Sequence, residues 1–364
     1  MTTAKHSFPT LDLALEALDD SVVKYQQTLR MFGEGSPSFA SQLSLSVEAN
    51  QNRFKTILER IKDAIVSAYL FVQRIIRELI TGHLARIDRL YDALIATERH
   101  FREMQKTGAF NGTPRTFIDN LSIARDLLTG SKISYGSVNQ SHTTINTLIT
   151  VANKTYSDRV TNNKRILERA GHIKTFEDLR QMADVPKSSE FTRESPTAYI
   201  LEQLNVDEAC IVTTSKPLPG NNTLAMVSTP ANFGGLGFVN SDYGLRFVNT
   251  LEIDNNDRRL FRMPVLSGSE IKTMIFNIRR NLSDLRSTVD NVNQAEADLD
   301  RTRNVAKRLD LNEDSSRGDQ DMLLAFITRS IRNDAKVLIA TMTLSFDFLF
   351  ACHQWIEKSI EIYQ

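Results

Sequence analysis

Residues 267–292, SGSEIKTMIFNIRRNLSDLRSTVDNV, decide the fold. Ile271, Ile275, Ile278, Leu282, Leu285, Val289 and Val292 follow alternating spacings of four and three, which is a heptad seam along one helix face. Ser267 and Glu270 stand three apart just before it, the pattern of a capping box that starts a helix. Leu299 and Ala306 continue the seam, whereas Glu296 and Arg303 fall on seam positions and weaken it. A stripe of this length needs other long helices to cover it, from the same chain or from another.

Downstream, 310–319 is a charged loop and Met322 to Tyr363 a last helix. That helix is apolar on much of its circumference around Val337 to Phe350, which predicts a central place among the helices. Upstream, the character is different. Ile211–Thr214, Thr223–Val227, Gly237–Val239 and Leu245–Ile253 are strand-like runs, separated by Pro217, Pro219-Gly220-Asn221, Pro230, Gly234-Gly235 and Asn255-Asn256-Asp257. They predict a small β insert over 207–266.

Before the insert the helical signal returns. Phe117 to Leu128 reads as a short helix closed by Gly130, and Ser137 to Ala170 as a long, polar one ended by Gly171. Thr175 is placed to cap another short helix, and Lys187 to Pro196 reads as a linker. From Ala49 to about Met104, Ile57, Ile61, Ile65, Val72, Ile76, Ile80, Ile87, Leu90 and Leu94 make a broad apolar stripe. Thr81-Gly82 predicts a kink or break within it, since glycine costs about 1 kcal/mol against alanine in a helix. Gly108 to Pro114 ends this element. The fold class expected is therefore mainly α: an elongated bundle of long helices with a small inserted β subdomain. Its divisions are a leader over 1–48, a helical domain over 49–206, the β insert, and a helical hairpin over 267–364 that packs on the N-terminal helices.

Composition excludes several classes. Lys plus Arg equals Asp plus Glu at 44 each, so a wholly basic nucleic-acid binder is disfavoured. Two cysteines, Cys210 and Cys352, are no disulfide framework and suit a reducing compartment. The first ten residues carry no apolar signal segment, and Ile61 to Ile80 is too charged to span a membrane. There is no phosphate-binding loop, no dinucleotide fingerprint at Gly234-Gly235-Leu236-Gly237, no Cys-x-x-Cys and no nucleophile elbow. His83 and His100 lack chelate spacing, and Cys352 beside His353 faces another side of its helix. Asp298, Asp300 and Asp310 fail the calcium-loop pattern. The expectation is a protein without catalytic residues, metal, cofactor or small-molecule substrate.

What remains is a junction near the N-terminus. Residues 1–48 carry three Lys/Arg against six Asp/Glu; residues 49–106 carry eleven against seven. Between them, after the Phe32-Gly33-Glu34-Gly35-Ser36-Pro37 break, stands Ser46-Val47-Glu48. A small residue two before Glu also occurs at Ala14, Ser188 and Gly268, so position rather than pattern singles this one out. The plain reading is a loop-to-helix boundary capped by Ser44 or Ser46.

An acidic leader, a Ser-x-Glu stop and a basic amphipathic helix also resemble, in layout, the internal head proteins of large tailed bacteriophages. The resemblance covers the N-terminal third. It implies a virion structural protein, made in the host cytoplasm as a precursor, cut after Glu48 by the maturation protease and retained from Ala49 inside the capsid. Ser46, Glu48 and Ala49 would form the processing site. Partners would be other capsid or prohead core proteins and, non-specifically, double-stranded DNA. Arg53, Arg60, Arg74, Arg77, Arg86 and Arg89 are the candidates to meet its phosphates, with Arg99 and Arg102 further along the helix. The plain reading of these arginines is a solvated face, and the near-neutral total departs from strongly basic internal proteins. Two other classes fit. One is a helical membrane-active protein whose apolar stretch Leu224 to Val239 forms a β-tongue; the other is a cytoplasmic coiled-coil scaffold.

Overall fold

The computed structural model describes residues 47–112, 114, 116–130, 132–173, 178–179, 192, 194–206, 210–228, 244–250, 261–309 and 317–364. The predicted helix over Leu11–Met31, the Thr175 cap, the predicted strand Gly237–Val239 and most of Lys187–Pro196 lie outside them. The chain is mainly helical with small antiparallel sheets. In order, the elements are α1 (Val47–Lys106), β1 (Phe117–Asp119), α2 (Leu121–Leu127), α3 (Tyr135–Glu168), α4 (Ala198–Leu204), β2 (Ile211–Thr214), β3 (Asn222–Ser228), β4 (Gly244–Asn249), β5 (Arg262–Pro264), α5 (Gly268–Lys307) and α6 (Arg317–Ile362). Single 3-10 turns stand at Ala170–His172 and Pro219–Asn221.

The expected break at Thr81-Gly82 does not occur: α1 runs through it. Thr81 Oγ1 donates to the Arg77 carbonyl one turn back, and Gly82 faces open space. Ile61, Ile65, Val72, Ile87, Leu90 and Leu94 are all buried on either side. Burial of a stripe this long outweighs the roughly 1 kcal/mol glycine penalty. The helix closes where expected. Gly108 adopts φ 76°, its N–H donates to the Gln105 carbonyl, and Ala109 N–H reaches the Met104 carbonyl, which together make a Schellman motif.

A second expectation fails at Phe117. Residues 117–119 are strand β1, not the start of a helix, and they pair antiparallel with β5, Ile118 opposite Met263. Both of those side chains are buried, while Phe117 and Asp119 face out. The helix starts later because Asn120 caps it, its side chain accepting from Ile123 N–H at 3.3 Å.

The other sheet has the order β2-β3-β4; β2 has the predicted bounds, β3 is one residue longer at each end, and β4 starts one residue earlier and ends four earlier than predicted. Helix α4 lies on it, Ile200 and Leu204 packing with Ala225, Val227, Val212 and Val248. Gln203 closes the end of β4 by bonding both the N–H (3.1 Å) and the carbonyl (2.9 Å) of Asn249.

The described residues form two compact units, and neither is a block of sequence. The first unit takes α1 up to Ile75, Arg159–Asp184, and Ala297–Arg332. Its core includes Ile61, Ile65, Tyr69, Val160, Ile166, Leu299, Ala306 and Phe326. Arg303, on a weak seam position, meets Gln73 at 3.4 Å and Asp300 at 3.0 Å instead of packing as an apolar residue would.

The second unit takes Ile76–Asp158, Val185–Glu296 and Asn333–Gln364. Cross-helix contacts fix its helix directions. Arg86–Asp347 and Thr97–His353 make α1 and α6 parallel. Asn139–Asn277 and Asn153–Thr288 make α3 and α5 parallel. Asp88–Arg286 and the Glu98–Arg279 pair set α5 against α1. The seam from Ile271 to Val289 is buried within the chain, and its start is the expected capping box: Glu270 accepts from Ser267 N–H at 2.7 Å and from Ser267 Oγ at 2.8 Å.

As predicted, α6 is buried on most sides, including Leu338, Met342, Phe348, Cys352, Trp355 and Ile356. Ala335–Ile362 is long and apolar enough to cross a membrane, a property the sequence reading sought at Ile61–Ile80; 67% of its most apolar window is buried against the chain. Its last turns grip the connector before α5. Trp355 Nε1 donates to the Pro264 carbonyl (2.8 Å), Ser359 Oγ accepts from Leu266 N–H (3.2 Å), and Tyr363 Oη donates to the Leu266 carbonyl (3.0 Å).

Candidate functional site

The most concentrated chemistry in the described residues is a column of polar groups inside the helical core of the second unit. It begins with spacing. Asn139, Asn146 and Asn153 recur every seven residues on α3; Asn281 and Thr288 do so on α5, in line with Met274. Parallel helices with matching heptad rows bring like levels together. Asn277 Nδ2 donates to Asn139 Oδ1 (2.8 Å), and Asn153 Nδ2 to Thr288 Oγ1 (3.1 Å).

Between those rungs lies His142. The Asn281 amide nitrogen is 3.1 Å from both the His142 carbonyl oxygen and ring Nδ1. An amide held by that carbonyl presents N–H to the ring, so Nδ1 accepts and Nε2 keeps the proton. Nε2 faces Cys352 Sγ of α6 at 3.9 Å, and Phe348 packs edge-on against the imidazole. On the α1 side, His353 Nε2 bonds Thr97 Oγ1 at 3.0 Å, and its Nδ1 lies 3.7 Å from the Glu357 carboxylate.

Cysteine, histidine and asparagine together have the composition of a nucleophile site, but the environment works against one. Burial pushes the Cys352 thiol well above its ordinary value and lowers His142 to about 4. An activated cysteine needs a thiolate beside a cation. Here the stable pair is thiol and neutral imidazole, both sealed from solvent. The arrangement can fix helix register and rotation, as buried polar pairs do in coiled coils. No cluster of three metal-ligating side chains occurs among the described residues.

The sequence-derived candidates lie elsewhere. Ser46 is outside the described residues. Glu48 and Ala49 fall in the first turn of α1, without described side chains, as do Arg53 and Arg60 along the same helix. Arg74, Arg77, Arg89 and Arg99 are exposed. Arg86 is not a bare surface cation: it pairs with Asp347 at 3.0 Å and lies over the Phe346 ring at 4.1 Å. Arg102 pairs with Glu98 at 2.5 Å. Of the apolar stretch Leu224–Val239, the described part is strand β3, with Leu224, Ala225, Met226 and Val227 buried. No protein-family model, curated protein or solved structure matches this chain.

Proposed function

We propose that this protein is a structural component of a phage capsid interior, made as a precursor and cut between Glu48 and Ala49. One observation supports this above others. The bond sits in the first turn of α1, where backbone N–H groups lack helical partners and the helix opens most readily to a protease. The body left behind would be an elongated bundle of long helices with the β-sheet as an inserted subdomain. Arg74, Arg77 and Arg89 would meet DNA phosphates weakly, without sequence preference and with a steep salt dependence. Other core and capsid proteins would be its partners, and its place the virion interior.

The test is intact mass and N-terminal sequencing of the protein from purified particles and from the host lysate. A chain beginning at Ala49 in particles, with the Met1 form outside them, is the expected result. A Met1 form in mature particles, or absence from particles, overturns the reading.

The membrane-active alternative gains one observation, the apolar segment Ala335–Ile362. It requires α6 to leave its core. Leakage from lipid vesicles at neutral pH would favour it over the capsid reading.

A further inference from the structure

Three imidazoles are buried in the helical core of the second unit: His83 of α1 at 2% exposure, His142 of α3 at 4% and His353 of α6 at 3%. They differ in what they offer a proton. His353 has an outlet, since the Glu357 carboxylate lies 3.7 Å from its Nδ1. His83 has none. Neither of its ring nitrogens has a hydrogen-bond partner, and its neighbours are the Phe346 ring and the Arg86 cation. Arg86 is itself paired with the Asp347 carboxylate of α6 at 3.0 Å. His142 is closed differently. A proton on Nδ1 would point N–H at the Asn281 N–H, and turning that amide would set its oxygen against the His142 carbonyl. From α6 its titratable neighbour is the Cys352 thiol, and among the described residues no carboxylate pairs with the ring.

We propose that His83 and His142 make the second unit acid-labile: a proton taken by either imidazole finds no acceptor inside the core and opens the helices around it. Neutral solution keeps both rings uncharged and the core closed. Desolvation by burial lowers both rings from the ordinary 6.5 to about 4, with the Arg86 charge adding to the effect at His83. The unfolded chain therefore binds these protons first. Stability from this source is full above about pH 6.5 and is lost as pH falls toward 4. The first unit supplies an internal control. Its described histidine, His172, is exposed. Nothing in this chemistry depends on where the protein resides.

The experiment uses the full chain with 13C-labelled histidine rings, titrated from about pH 7.5 to about pH 4, with amide hydrogen exchange followed in parallel. Among the six histidines, burial lowers His353 as well, with the Glu357 charge opposing it, but it is the rings of His83 and His142 that are expected to stay neutral until well below the ordinary value. They should then titrate together with loss of protection across Ile87–Phe101, Val138–Ala152 and Ile271–Val289, before protection is lost at Ile61–Val72. His83→Phe and His142→Asn should each move that opening to lower pH by about half a unit or more. Unchanged opening in both variants overturns the proposal. If neither variant folds, the parent titration decides: all six rings titrating near the ordinary value with protection intact overturns it equally.

Discussion

Asn221 grips the backbone of Gly130 from 91 residues away: its Oδ1 accepts from Gly130 N–H at 2.7 Å and its Nδ2 donates to the Gly130 carbonyl at 3.3 Å. Asn221 N–H also donates to the Leu128 carbonyl, and Thr250 N–H to the Asn221 carbonyl. One buried side chain thus joins the turn after α2 to the start of β3, the central strand of the three-stranded sheet, from a left-handed backbone at φ 53° that asparagine tolerates.

Removing that grip should be costly. Asn221→Ala leaves two backbone groups without their side-chain partners and replaces a residue that tolerates the left-handed region with one that does not, a loss of about 2–4 kcal/mol. Asn221→Gly, which relieves the backbone, should recover about 1 kcal/mol of it. Urea unfolding of the two variants beside the parent measures both numbers. Equal stability of all three would show that the grip carries no energy.

The seam should behave as core. Leu285 is fully buried, so Leu285→Ala should lose about 2–5 kcal/mol and Leu285→Asp more. Thermal and urea midpoints check this, and an unchanged melting curve for the aspartate variant would remove the seam from the core.

The capping box should contribute modestly. Glu270→Ala deletes two bonds to Ser267 at the start of α5, for a loss of about 1 kcal/mol. Glu270→Gln keeps the geometry and should retain most of it. Both are read from urea midpoints.

The two thiols should differ sharply toward an aromatic disulfide reagent. Cys210 is half-buried, while Cys352 is sealed and its thiol pushed well above its ordinary value by burial. In native protein at about pH 8 only Cys210 should react, and in denaturant both. Labelling of native Cys352 at the rate of Cys210 would mean that the core breathes far more than its packing implies.

Local signals were readable in the sequence. The Ser267–Glu270 box, the seam after it, the end of α1 at Gly108 and the strand runs around Thr213, Met226 and Phe247 each depend on residues close together in the chain. Longer reach defeated the rest. Phe117–Asp119 becomes a strand because Met263 lies beside it, and α1 continues through Gly82 because distant helices cover the stripe on both sides. The polar column had a trace in the sequence, Asn139, Asn146 and Asn153 at intervals of seven. Nothing local tells which helix answers it, or that Cys352 meets His142 rather than its neighbour His353.

The hold of Trp355, Ser359 and Tyr363 on Pro264 and Leu266 also sets an order of events during synthesis. The ribosome makes the connector about ninety residues before the groups that fix it, and the long helices of both units wait for α6 as well. A nascent chain halted ahead of Trp355 would therefore leave the exit tunnel with the Pro264 and Leu266 backbone groups lacking the side chains that hold them. During that interval the chain depends on chaperones or on speed to escape aggregation.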